Sequence, residues 1–217
     1  MTASLSANRP RVVITGVGVI SPLGLSAAEF WDGLTAGRSG ISRISQFDAS
    51  ALPCQIAGEI KGFEPQRYMD AKEARRISRC SQLGLAAAQE AMRDAGLGDQ
   101  VPEPERAAVV FGTALGGLEK FDEGLTALRR HGFGRVNPFN PPAAIANMTA
   151  HHISRAHRAL GPLATIVTAC AAGTQAVGEA AELIRRGSAD LVITGGVEAS
   201  IQDCAIGGFA AMRALPV

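Results

Sequence analysis

TIVTACAAGTQAVGEAAELIRRGSADLVITGGVEAS, residues 165–200, decides how the rest of the chain is read. It opens on an apolar, β-branched run, Thr165 to Thr168. Cys170 follows, then Ala171, Ala172 and Gly173. A helical segment runs to Arg186 and stops at Gly187, a residue suited to the position after a helix end. A second β-branched run, Leu191 to Thr194, comes after Asp190. The order is strand, cysteine, helix, strand, with the thiol at the joint. The first backbone N–H groups of a helix have no partner inside it, and the helix dipole favours negative charge there. A cysteine so placed is favoured as the thiolate. The same N–H groups can hold an oxyanion during acyl transfer. Cys170 is therefore a candidate nucleophile, against the usual role of a free cysteine as inert packing.

Working outward, the pattern is strands alternating with helices. Arg11 to Ile20, RVVITGVGVI, reads as a buried first strand, and Ser21-Pro22-Leu23-Gly24 breaks it. Ser26 and Glu29 form a capping box for a short helix. Phe30 and Leu34 mark its inner face, and Gly37 ends it. Residues 38–53 read as loop, and Gln55 to Ile60 as a minor edge strand. From Tyr68 the chain turns basic and helical, then alanine-rich to Gly96. Ala107 to Gly112 is a further buried strand, Thr113 to Gly117 a turn, and Leu118 to Arg130 an amphipathic helix. Residues 132–142 are rich in breakers, and Ala143 to Arg155 reads as helix. Such alternation predicts an α/β fold: right-handed βαβ units and a mainly parallel sheet with helices on both faces. Residues 1–10 read as a loose leader and 11–217 as one unit. The chain stops soon after its last strand, which suggests a fragment or an edge buried against something else.

Composition narrows the function. The chain has 217 residues, ample for a sizeable core. With 47% hydrophobic and 19% charged residues it is globular rather than disordered. A net charge of +1 argues against nucleic acid or an anionic membrane as a general partner. Aromatic residues, at 5%, are too few for stacking platforms on single strands. No apolar run is long enough for a membrane-spanning helix, and the polar N-terminus is no secretory signal. Cys54, Cys80, Cys170 and Cys204 are too widely spaced for a zinc motif or a small disulfide scaffold. A reducing, cytoplasmic setting fits them. No cofactor and no metal is implied. Away from the strand-to-helix joint, Cys54, Cys80 and Cys204 read as packing residues.

Three other features have competing readings. Thr15-Gly16-Val17-Gly18-Val19-Ile20-Ser21 has the start of a dinucleotide fingerprint, but Ser21 and Pro22 stand where the third glycine and the helix are needed. Close strand packing is the better reading. His131, His151, His152 and His157 read as solvated or structural, since only the fold can bring one to Cys170. Lys72, Arg75, Arg76 and Arg79 crowd within about two helical turns. They are a solvated helix face or a dock for an acidic partner.

These residues carry a family resemblance. RVVITGVGVISPLG at 11–24, GTALGG at 112–117, NPF at 137–139, TACAAG at 168–173, ADLVITGGVE at 189–198 and GGFAAMRAL at 207–215 occur in one order over nearly the whole chain. The chain resembles the N-terminal half of a β-ketoacyl-acyl carrier protein synthase of the elongating, type II kind. The resemblance implies a thiolase-like fold of two duplicated α/β halves, assembled as a homodimer. It implies that Cys170 takes an acyl group from acyl carrier protein as a thioester. Malonyl-loaded carrier then loses CO2, and its carbanion attacks that thioester, in fatty acid biosynthesis. Lys72, Arg75, Arg76 and Arg213 resemble the patch that meets the acidic carrier. Leu115 resembles the residue that limits the acyl pocket. Asn140 falls near a pocket wall contributed across the dimer, where relatives often carry an aromatic residue. Leu163 to Thr168 resembles the strand that pairs across the dimer axis.

The family's catalytic histidines, its lysine and its second oxyanion donor belong to the other half, and none of the four histidines here matches them. Losing one oxyanion donor alone costs about 100- to 1,000-fold in rate. The resemblance thus implies a chain nearly inactive in condensation by itself, with apolar surface left uncovered. Rival readings are a carrier-binding module without catalysis, a polyketide ketosynthase, and a coenzyme A-dependent enzyme of the same fold.

Overall fold

The computed structural model describes residues 10–216, so the leader expected at residues 1–10 lies outside the described residues but for Pro10. In chain order the helices and strands are α1 (Ala27–Thr35), β1 (Ser42–Arg43), β2 (Ile56–Ala57), α2 (Ala71–Ala74), α3 (Arg79–Asp94), β3 (Ala107–Gly112), α4 (Leu118–His131), α5 (Asn140–Ala144), α6 (Met148–His157), β4 (Leu163–Ile166), α7 (Ala172–Arg185), β5 (Leu191–Gly196) and α8 (Asp203–Ala211). Short 3-10 turns join several of them.

The central sheet has the order β4-β3-β5, all parallel. Val109 is paired with Leu163 on one side and Ile193 on the other. β3, AAVVFG, is buried at every position, as a strand covered on both faces must be. Its side chains alternate between two cores. Val109 and Phe111 join Ile193, Leu85, Met92 and Ile153, which places α3 and α6 on that face. Ala108 and Val110 meet Ala176, Ala180 and Leu183 of α7 on the other. The α/β architecture with helices on both faces is as the alternating pattern predicts.

Local chemistry explains the element ends. The Ser26 hydroxyl accepts from the Glu29 N–H at 3.2 Å, and Gly37 leaves α1 with φ +66°. Ser78 caps α3 by accepting from the Ser81 N–H at 3.1 Å. That cap splits the expected single basic helix into α2 and α3. An extended Ile145 likewise separates α5 from α6 within the expected helix 143–155. The expected edge strand at 55–60 shrinks to β2, which pairs with β1 inside the expected loop. Leu34 is exposed rather than inward, because α1 buries only Gly33 fully.

The largest departure is the first strand. Residues 11–20 form no strand and pair with none among the described residues, and Val13 and Ile14 are 63% and 78% exposed. Two contacts hold them elsewhere. Gly16 and Gly18 lie so close to α3 that a Cβ on either would sit about 2 Å from a backbone oxygen, Ala91 O at 2.2 Å and Ala87 O at 2.0 Å. Carboxylates of α3 then take the amides: Val17 N–H donates to Asp94 Oδ2 at 2.9 Å and Val19 N–H to Glu90 Oε2 at 2.8 Å. The glycines therefore serve close backbone packing, as their sequence context suggested, and not a phosphate cradle. Between this segment and β5 lies a cavity of about 510 Å³, walled by residues 12–18, β5, α3 and α7.

Candidate functional site at Cys170

The three parallel strands end together, and glycine is what lets them do so. A Cβ on Gly112, the last residue of β3, would sit 2.3 Å from the C and O atoms of Ala172. A Cβ on Gly196, the last residue of β5, would sit 2.7 Å from the Cα of Gly173. Backbone bonds lock the ends: Thr113 N–H to Ile166 O at 3.1 Å, and Val197 N–H to Gly112 O at 3.0 Å. The first turn of α7 therefore rests on bare backbone from two strands.

Cys170 stands immediately before that turn, within the short 3-10 segment Ala169–Ala171. It is exposed and free. Ala169 beside it has φ +52°, a left-handed conformation that costs an alanine about 1–2 kcal/mol. Strain of this kind concentrates at functional sites. The Ala171 N–H donates back to Thr168 O at 3.1 Å, closing the elbow. The joint expected from residues 165–200 is thus formed, with an accessible thiol at the carboxyl ends of a parallel sheet.

Leu115 lies on the adjoining turn after β3 and is 44% exposed. Glu198, which the sequence marks only as part of a motif, anchors that turn from just beyond β5. The lone acidic residue after Gly195-Gly196 was the available signal. Asn140 is buried at the start of α5, its Nδ2 3.5 Å from where a Cβ on Gly124 of α4 would sit. It braces α4 against α5.

Lys72, Arg75 and Arg76 are exposed around α2, and Arg76 stacks over Phe139 at 4.3 Å. Arg79 leaves the patch: it is half-buried, lies 4.6 Å over the Phe63 ring and donates to Ile60 O at 3.3 Å. Burial lowers its pKa, with Glu119 opposing. Arg213, exposed at φ +58°, follows α8, which packs on the separate Ile44–Cys54 cluster.

Two histidines are structural. His157 is buried, its Nδ1 2.8 Å from Asp99 O. Burial, helped by neighbouring His151, pushes His152 down to about 4. Its Nδ1 is 3.9 Å from Glu73 Oε1, an oxygen that Arg155 engages. His131 and His151 are exposed. Cys54 and Cys80 are buried, and burial pushes the Cys80 thiol up to about 11. Cys204 departs from its expected packing role, standing exposed on α8 because that short helix buries only Ile206 and Ala210. Among the described residues no group of three or more His, Cys, Asp or Glu can hold a metal ion. None of their helices is long and apolar enough to cross a membrane.

Residues 9–216 match the family described as Beta-ketoacyl synthase, N-terminal domain. The chain is 40% identical over 205 residues to 3-oxoacyl-[acyl-carrier-protein] synthase 2 of Coxiella burnetii, covering 94% of this chain and 50% of that protein. It is 42% identical, with the same coverage, to the protein of that name from Staphylococcus aureus strain COL. Among solved structures it is similar to the ishigamide ketosynthase/chain length factor, at 32% identity and a TM-score of 0.87, over 94% of this chain and 51% of that one. The chain spans about half the length of these relatives. Sequence order, fold and the strand-end elbow agree: this chain belongs to the β-ketoacyl synthase family, of which it carries the N-terminal domain.

Proposed function

We propose that this chain is the nucleophile-bearing half of an acyltransferase that condenses carrier-bound acyl groups in fatty acid biosynthesis. The observation that carries the reading is Cys170: an exposed thiol next to a left-handed alanine, at the joined ends of three parallel strands. The Cys170 sulfur attacks the thioester carbonyl of an acyl-loaded carrier protein, and the carrier thiol leaves with the proton. The first turn of α7 supplies backbone donors for the tetrahedral oxyanion. In the second step malonyl-loaded carrier loses CO2, its carbanion forms a C–C bond to the acyl carbon, and the Cys170 thiolate is released. That step needs donors for the enolate charge. His152 and His157 are buried structural groups and do not supply them.

Residues 11–217 act as one half-domain whose open flank beside β5 is covered by the rest of a longer polypeptide. The exposed apolar residues Val13, Ile14 and Val17 there support this. Lys72, Arg75, Arg76 and Arg213 dock the acidic carrier; the exposure of the first three supports that role. Leu115 limits the acyl pocket, and Asn140 sits at its wall. β4 is the other sheet edge, with Leu163 47% exposed, and pairs across a homodimer axis. The setting is cytoplasmic.

The test is mass spectrometry of the chain after incubation with acyl-loaded carrier protein. One acyl group is expected on Cys170, and none in Cys170→Ala. Absence of any adduct at Cys170 overturns the reading. A second reading, a carrier-binding module without catalysis, rests on the same exposed cations. It predicts salt-sensitive carrier binding, weakened by Arg75→Glu and Arg76→Glu, with no acylation.

A further inference from the structure

We infer that Glu198 is a positioning residue that sets which acyl chain lengths the site accepts, by holding the turn that carries Leu115. The inference rests on the acyl-transfer reading above and adds to it a determinant of specificity. Glu198 Oε2 accepts the N–H groups of Ala114 and Leu115, each at 2.9 Å, and lies 3.4 Å from the Thr113 hydroxyl, which donates to it. Its other oxygen accepts from the Ser200 hydroxyl at 2.5 Å and the Ala199 N–H at 3.2 Å. One side chain thus joins the turn after β3 to the segment after β5. Two successive amides converging on one oxygen form a small anion-binding nest, and bonds to an ionised acceptor are stronger than neutral ones.

The turn is held from below as well. The Gly116 N–H donates to Thr113 Oγ1 at 3.2 Å. Gly116 has φ +68°, and a Cβ on it would lie 2.7 Å from the Cα of Ala146. A Cβ on Gly117 would lie 2.2 Å from Ala143 O. The turn is therefore seated on the α5–α6 joint, with Leu115 as its projecting side chain, 44% exposed. It begins one residue after Gly112, which touches the first turn behind Cys170. The turn has two places to be held: the α5–α6 seat is shape, and the other is the Glu198 carboxylate. Removing the carboxylate leaves the Ala114 and Leu115 amides without their acceptor and frees Leu115 to move relative to Cys170.

The experiment uses the 217-residue chain with Glu198→Ala, Leu115→Ala and the double variant. Two readouts are taken: hydrogen exchange over residues 113–117, and acylation of Cys170 in competition between butyryl- and palmitoyl-loaded carrier. In Glu198→Ala the turn amides are expected to exchange about tenfold faster. The palmitoyl-to-butyryl ratio is expected to shift roughly threefold or more, in the direction of Leu115→Ala, with no further shift in the double variant. A purely structural Glu198 would slow both acyl groups equally and leave the ratio alone, which overturns the inference. Unchanged exchange at Ala114 and Leu115 also overturns it, since the anchor would then not act. If the wild-type chain takes neither acyl group, the acyl-transfer reading itself fails and the specificity role falls with it, while the exchange data still decide whether the anchor exists.

Discussion

At the carboxyl ends of β3, β4 and β5, backbone meets backbone through Gly112, Gly173 and Gly196, and Glu198 ties the following turns together. Along the free side of β5 the same sheet faces a cavity of about 510 Å³, with residues 12–18 on the far wall. Both regions are glycine-rich and β-branched. The first is closed because each contact has a partner within the described chain. In the second, the N–H groups of Val17 and Val19 are taken by side-chain carboxylates of α3 instead of a neighbouring strand. Strand-forming residues become a strand only where a second edge is present to pair with.

Glycine substitution breaks this contrast most directly. Gly112→Ala puts a methyl group 2.3 Å from backbone atoms of Ala172, at a place locked on every side. A loss of about 3 kcal/mol is expected in urea unfolding. Gly18→Ala meets Ala87 O at an even shorter 2.0 Å. No described strand lies beside its segment, so it can shift outward, and a smaller loss of about 1–2 kcal/mol is expected. Equal losses would show that residues 11–20 are held as firmly as the strand ends.

A pH titration probes the packed helix layer on one face of the sheet, away from both regions. His152 is buried on α6, its Nδ1 3.9 Å from Glu73 Oε1 of α2, and burial holds its pKa at about 4 against an ordinary 6.5. The unfolded chain therefore binds the proton first. The sign follows: this contribution is fully present above pH 6.5 and is lost as pH falls toward 4. Allowing for the partial solvation of the ring, roughly 1–2 kcal/mol is at stake. Melting curves of His152→Gln are expected to lose that part of the slope; an unchanged slope would assign it to other groups.

The smallest effect probes the open side. Thr194 Oγ1 is buried without a hydrogen-bond partner among the described residues, and Thr194 lines the cavity. Thr194→Val keeps the shape and removes the hydroxyl, so a gain of about 0.5–1 kcal/mol is expected in thermal melts. Destabilisation would mean that the hydroxyl is engaged and that this flank is not open in solution.

Much of the sheet was legible from residues alone. β3 and β5 are short β-branched runs with turn residues at their ends, and α7 ends at Gly187, whose φ is +71°. Local rules of this kind need only near neighbours. Two helix breaks leave no local signal, because Ser78 and Ile145 sit inside otherwise helical composition, where a cap or a single extended residue decides the outcome. Arg79 read as a member of the basic patch, but Phe63 and Ile60, far off in sequence, draw it inward.

The sequence by itself determined the alternation of strands and helices, the place of Cys170 at a strand-to-helix joint, and the family to which the motifs belong. Each depends on composition and spacing within a short window, or on the order of such windows. Only the tertiary structure decided that residues 11–20 lie unpaired on α3, that Ala169 turns left-handed beside an exposed thiol, and that Glu198 reaches back 84 residues to Ala114. Those outcomes turn on which backbone groups meet across the fold. Their free energy comes from close approach and from hydrogen bonds between distant residues, which no local pattern encodes.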